Sequence, residues 1–136
     1  AARLIHMGSK EHDVHAAFVS HLSHISSFVL ASTVLEQEEN VKAIFDLAGG
    51  GFESTVRLAK SSPAMWAPIF EQNRDNVIIA LEAYIEHLWT FRRTLVERRF
   101  DATQKLMERA NGIRRVLTDL GVKAAANAKN GKGSQS

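Results

Sequence analysis

A chain of 136 residues, 45% hydrophobic and 24% charged, suffices for one domain that buries about two-thirds of its unfolded surface. It holds no cysteine, which excludes disulfides, thiolate metal sites and cysteine nucleophiles and leaves the redox compartment open. The formal charge of +2 is the balance of two unlike parts: residues 1–91 carry six Lys and Arg against eleven Asp and Glu, residues 92–136 eleven against four.

Ala1–Met7 is a short apolar run ending at Gly8-Ser9. It reads as the end of a connection and lacks the cationic-then-apolar order of a signal peptide, so a cytoplasmic protein is expected. Ser9 is a candidate N-cap. From Val14 the apolar residues Ala17, Phe18, Leu22, Ile25, Val29 and Leu35 follow the period of an amphipathic helix running to about Leu35. No apolar run approaches the ~20 residues of a membrane span, and no membrane partner is expected. The acidic Glu36–Asn40 segment predicts a turn, and Val41–Leu47 a short apolar helix. Gly49, Gly50 and Gly51 then mark a sharp chain reversal or a close approach of two backbones. A short helix carrying Arg57 and Lys60 follows, stopped by Ser61-Ser62-Pro63. Pro63 restricts Ser62 to an extended conformation, which ends that helix and lets Pro63 open the next, ahead of Met65 and Trp66.

Val77, Leu81, Tyr84, Leu88, Phe91 and Leu95 step by four, three, four, three and four, the seam of a heptad pattern. Ile78, Ile85 and Trp89 widen the stripe beyond the need of one partner helix, which predicts a central helix and an obligate homodimer. Leu106, Ala110, Ile113, Leu117 and Leu120 continue the spacing past Glu97-Arg98-Arg99, with Asp101 and Gln104 as a candidate capping pair. Either one long helix bends there or two meet. The residues after Gly121 have almost nothing to bury, so a helical domain over 1–122 and a disordered tail over 123–136 are expected. The basic part has few aromatics beyond Phe91 and Phe100 and reads as solvated helix face and tail, not as a nucleic-acid surface. No segment alternates with period two for long enough to be a strand, and the expected fold is all-α. Neither GxGxxG nor GxxxxGK[ST] occurs, and no strand precedes the glycines, so this chain alone is not expected to bind NAD.

His12, His15, His21 and His24 all fall on the first helix. At about 100° per residue, His21 and His24 project about 60° apart, Asp13 falls within about 20° of His24, and His12 and His21 point to opposite sides. Four ligands in one line are excluded, and a His-x-x-His pair without HExxH spacing is a weak metal site, so no metal is expected. On the residues alone, His21 and His24 read as hydrogen-bonded interface histidines, Arg57 as a partner of Glu53, and Trp66 as core or interface.

Two stretches, EHDVHAAFVSHLSH at Glu11–His24 and AGGGFESTVRLAKSSPAMW at Ala48–Trp66, together resemble the C-terminal helical domain of prephenate dehydrogenase. Members of that family carry an HD pair, a SHLPH-like run, GGF, an arginine and PxMW in this order. The resemblance spans Ala1–Arg98. It implies a helical substrate-binding and dimerisation domain, with a 6-phosphogluconate dehydrogenase C-terminal-like fold. The implied reaction, in tyrosine biosynthesis, is the oxidative decarboxylation of prephenate to 4-hydroxyphenylpyruvate with NAD or NADP.

By the same resemblance His24 lines the prephenate pocket, His21 opens the same run, and Arg57 engages a substrate carboxylate, which a planar guanidinium grips bidentately. Trp66 is placed near the active site or against the neighbouring subunit, and His12 and Asp13 match the HD pair at the pocket's edge. Lys60 either reinforces the positive field or is solvated. Three departures stand out. Ser23 replaces the proline of the run, so the helix should be less bent there. Glu53 stands where some members carry a cation. The family's N-terminal dinucleotide-binding domain, with its catalytic histidine, has no counterpart in these residues, so none is assigned a catalytic role and the chain alone is expected to be inactive. The rival reading is a stand-alone helical interaction or regulatory module that binds an aromatic acid without turnover.

Overall fold

The computed structural model describes residues 9–38 and 41–121, which form helices and their connections, with no strand among them. The all-α expectation holds. The expectations for Ala1–Met7 and for the tail at 123–136 lie outside the described residues, as do Glu39 and Asn40 of the acidic turn. The chain divides into two units that meet within one helix, at Ile85 and Glu86.

In the first unit, α1 (Ser9–Ala16), a π-turn (Ala17–His21) and α2 (Leu22–Gln37) make one continuous helical run. Ser9 is the first residue of α1. Glu38 leaves the helix with extended backbone, its N–H still bonded to the Val34 carbonyl. The run is longer and more uniformly apolar than its individual hydrophobic words suggest. It is 29 residues long with a window of mean hydropathy 1.4, enough by length and composition to cross a membrane. This corrects the reading that no such segment exists. The reason is that Val14–Leu35 holds no Asp, Glu, Lys or Arg, and its polar residues are Ser, Thr and His. The helix has protein neighbours, however: the buried Ser27 hydroxyl donates to the Thr55 carbonyl at 2.7 Å.

α3 (Val41–Val56) is broken at Gly49, whose φ of 58° and ψ of −171° are non-helical. This combination is open essentially to glycine alone. The glycine cluster therefore acts as a chain break. A close backbone approach is not seen, since a Cβ at Gly49, Gly50 or Gly51 would meet nothing within 4 Å. A 3-10 turn (Arg57–Lys60), tighter than the short helix expected there, leads to Ser61. α4 (Pro63–Gln72) starts as the proline predicts: Ser62 is extended, and its hydroxyl accepts the Met65 N–H at 3.4 Å.

α5 (Arg74–Val96) begins directly after Asn73 and lays Val77 and Ala80 against Ala17 of the π-turn, with Ile25 packed beside them. Ala17 and Ala80 are completely buried, and their small side chains let the two helices approach closely.

In the second unit, α5 ends in a turn with Arg98 at φ 57°, where Arg99 N–H reaches the Thr94 carbonyl at 2.8 Å and Arg98 N–H that of Leu95 at 3.2 Å. This is a Schellman cap with arginine in the place usually held by glycine. Two helices therefore meet here. α6 (Phe100–Ala110) packs on α5 through Thr103, whose hydroxyl donates to Thr94 Oγ1 at 2.8 Å while Thr94 donates to the Phe91 carbonyl. The expected Asp101–Gln104 capping pair does not form: the cap position is Arg99, without a side-chain bond, and Gln104 bonds Glu108 at 2.9 Å. After a turn at 111–112, α7 (113–121) closes the described chain.

Candidate functional site

The π-turn organises this site. It counts as one extra residue in the first helix, so every side chain after it is turned by about 100° from where a regular helix would place it. Asp13 and His21 come to within about 20° of one another, where a regular helix would hold them about 80° apart. His24 moves to about 80° from Asp13, and His12 and His21 are no longer on opposite sides. The regular-helix expectation for these four residues is corrected accordingly. The irregularity is present without the proline of the resembling run. Ser23 takes that place and donates its hydroxyl to the Val19 carbonyl at 2.7 Å.

Onto this face α4 lays two aromatic rings. Trp66 stacks on His24, ring centroids 3.6 Å apart and planes 24° from parallel, and meets His21 edge-on at 5.9 Å. Phe70 meets His21 edge-on at 6.2 Å and leans on Trp66 at 5.5 Å. The two predicted histidines and the predicted tryptophan thus form one half-buried cluster.

Each imidazole has an identifiable tautomer. His24 Nδ1 lies 3.0 Å from the Ser20 carbonyl, which can only accept, so Nδ1 carries a proton. The neutral His24 ring is left with an acceptor at Nε2, and it can donate to a carboxylate there only when protonated. His21 is the reverse case: its Nδ1 faces the Asn73 side-chain amide N–H at 3.2 Å, so Nδ1 accepts and Nε2 carries the proton. Its pKa is lowered from the ordinary 6.5, first by burial and then by His24, with His12 adding to the effect and Asp13 opposing it.

Asn73, at the joint between α4 and α5, also donates to the backbone carbonyl of Asp13 at 2.9 Å and accepts from Asn76 Nδ2 at 2.9 Å. Sequence reasoning missed Asn73, Asn76 and Phe70. A polar residue ending a helix is visible in the sequence, but nothing marks a partner 60 residues away.

His12 and Asp13 are exposed, with Nδ1 and Oδ1 3.8 Å apart. Arg57 is exposed on the 3-10 turn, two residues beyond the Thr55 carbonyl that Ser27 anchors to α2. No ion pair joins it to Glu53, and among the described residues none within 4.0 Å involves it. The reading of Arg57 as a partner of Glu53 is therefore not what the structure forms. Lys60 is exposed at the end of the same turn. Among the described residues no three or more His, Asp or Glu side chains converge as a metal set.

The chemistry on offer is a neutral donor, an acceptor that becomes a donor on protonation, an aromatic wall and an uncommitted guanidinium. Comparison with known proteins gives the chain's relatives. The prephenate dehydrogenase of Bacillus subtilis is 32% identical over 96 residues, which is 71% of this chain and 26% of that protein. That of Lactococcus lactis is 28% identical over 120 residues, 85% of this chain and 33% of that protein. The chain thus spans about a quarter to a third of the curated relatives it matches. A crystal structure of prephenate dehydrogenase from A. aeolicus, in complex with hydroxyphenyl propionate and NAD+, superposes with a TM-score of 0.72 at 29% identity, covering 82% of this chain and 39% of that one. Residues 8–109, which contain the π-turn, the histidine–tryptophan cluster and Arg57, match the family described as the dimerization domain of prephenate dehydrogenase, and the chain belongs to that family.

Proposed function

We propose that this chain is the substrate-binding and dimerisation part of a cytoplasmic prephenate dehydrogenase, which converts prephenate to 4-hydroxyphenylpyruvate by oxidative decarboxylation in tyrosine biosynthesis. The observation that carries this reading is the stacking of Trp66 on His24 with His21 beside it, in a chain whose relatives bear that enzyme's name. Arg57 grips one carboxylate of the dicarboxylate substrate, free to do so because it is exposed and no anion among the described residues holds it. His21 donates from Nε2, His24 lines the same pocket, and the Trp66 ring excludes water from one side, which strengthens each charge-assisted bond. His12, Asp13, Lys60 and the outer edge of Trp66 lie at the rim.

The residues described here do not fit a dinucleotide. The three glycines follow a helix, not a strand, and no strand–loop–helix cradle occurs among the described residues. In the proposed enzyme NAD or NADP is held by a dinucleotide-binding domain outside this sequence, and no step of hydride transfer is assigned to these side chains.

Kinetics of the complete enzyme test the reading. Arg57→Ala should raise KM for prephenate roughly ten- to a hundred-fold, because a charge-assisted bond to a carboxylate contributes about 1.5–3 kcal/mol. The thermal midpoint should stay in place, since no ion pair among the described residues is lost. Arg57→Lys should recover part of the loss, the fork geometry being gone. An unchanged KM in Arg57→Ala would remove Arg57 from the site.

A further inference from the structure

We propose that Asn73 is a positioning residue that fixes His21 as the neutral Nε2–H tautomer, so that the ring meets an anionic ligand with one committed donor. The last clause rests on the reading of His21 as a ligand-binding residue; the tautomer itself rests on geometry alone.

One group at this site cannot be reversed. The Asp13 backbone carbonyl only accepts, so the Asn73 side chain must turn its NH2 toward it, at 2.9 Å. That same NH2 faces His21 Nδ1 at 3.2 Å, which must then present a lone pair. Turning the amide over would set Asn73 Oδ1 against the Asp13 carbonyl and break the bond from Asn76 Nδ2 to Oδ1, 2.9 Å long. The Asp13 carbonyl therefore holds the amide in one orientation, and Asn76 completes that arrangement. A proton on His21 Nδ1 would place N–H against N–H, so the arrangement resists the imidazolium as well as the other tautomer.

Asn73 is placed for this by the backbone at both ends. Its N–H bonds the Ile69 carbonyl as α4 closes, and its carbonyl accepts the Val77 N–H as α5 opens. The π-turn supplies the other half, by bringing Asp13 and His21 onto one face. Around the ring, α4 contributes the uncharged edges of Trp66 and Phe70. On the first helix His24 and His12 disfavour a further proton and Asp13 favours it. The result is a pair of neighbouring histidines held in opposite tautomers: His21 offers a donor, His24 an acceptor.

Nitrogen-15 NMR of the ring nitrogens in the full chain, without ligand, tests the lock. Above the titration range, His21 Nδ1 should be of the unprotonated, pyridine type and Nε2 protonated. In Asn73→Asp the amide donor becomes a carboxylate acceptor of the same shape. His21 Nδ1 should then become protonated, and its titration midpoint should rise by roughly one to three units, as an adjacent opposite charge dictates. Asn73→Ala should raise the midpoint less, and circular dichroism of both variants separates loss of the lock from loss of the helix end that Asn73 closes. A protonated Nδ1 in the unsubstituted chain, or a midpoint unmoved in a folded Asn73→Asp, overturns the proposal.

In the complete enzyme the expected companion is a raised KM for prephenate in Asn73→Asp, increasing with pH across the histidine range, with little change in kcat. If the NMR shift appears and KM does not move, the anion role of His21 is overturned. Arg57→Ala then decides separately whether the carboxylate site exists at all.

Discussion

His21 is better kept neutral in the folded chain than in water, and this has a consequence for stability that runs opposite to that of a histidine gaining an acidic partner. Its folded pKa lies below 6.5, so between those two values the unfolded chain binds the extra proton and the folded chain does not. Stability contributed by this ring is therefore complete above 6.5 and is lost as pH falls through that value toward the lower folded pKa. Thermal unfolding between about pH 8 and about pH 5 should show the unsubstituted chain losing more of its midpoint than His21→Gln, which has no proton to gain. Parallel curves for the two would mean that the ring titrates as freely when folded as when unfolded. The grouping of His21, His24 and Trp66 was legible through the resemblance carried by Glu11–His24 and Ala48–Trp66, since on the residues alone each reads as core or interface. Asn73 was not, because an asparagine at a helix end is ordinary until its partners are known.

Two backbone irregularities shape the first unit, and only one of them shows in the sequence. The break in α3 is announced by three glycines, yet only Gly49 uses what glycine allows, with φ 58° and ψ −171°. Gly49→Ala should cost about 1–3 kcal/mol through backbone strain. Gly51→Ala, on a helical residue with open space around its missing Cβ, should instead stabilise the chain by roughly 0.5–1 kcal/mol. Chemical denaturation of the two variants checks the pair, and equal effects of the same sign would show that the break is misplaced. The π-turn, by contrast, is silent. Val14–Leu35 is free of Asp, Glu, Lys and Arg, so slipping the phase by one residue exchanges apolar and weakly polar side chains and leaves no mark in the charge pattern. The angular relations among the histidines depart from the regular-helix expectation for that reason, while the helix itself lies where the periodicity predicts. The end of α5 hid in a similar way: a Schellman cap built on Arg98 lacks the glycine that would have given it away.

A single copy of this chain is short of interior. Among its described residues the buried apolar side chains are Ala17, Val77 and Ala80, where a chain of this length ordinarily buries about two-thirds of its unfolded surface. The heptad seam read from the sequence is spent in two ways. Its first position, Val77, is in that core, while farther along α5 Leu88 is 52% exposed, Leu95 48% and Val96 62%, with Trp89 beside them at 57%. Leu47, on α3 in the other unit, is 86% exposed. Apolar surface on this scale, arranged along helices, belongs against another chain. The proposed homodimer should therefore be obligate, burying more than the ~2,000 Å² at which permanent interfaces begin. Sedimentation of the chain at micromolar concentration should give a dimer that does not dissociate without unfolding, with a thermal midpoint that rises with concentration. Leu88→Glu places a charge in the middle of the exposed stripe and should lower association and thermal stability together, since without its partner the monomer has little to hold it. A folded, monomeric Leu88→Glu with the original midpoint would show that the stripe on α5 is covered by something other than a second copy.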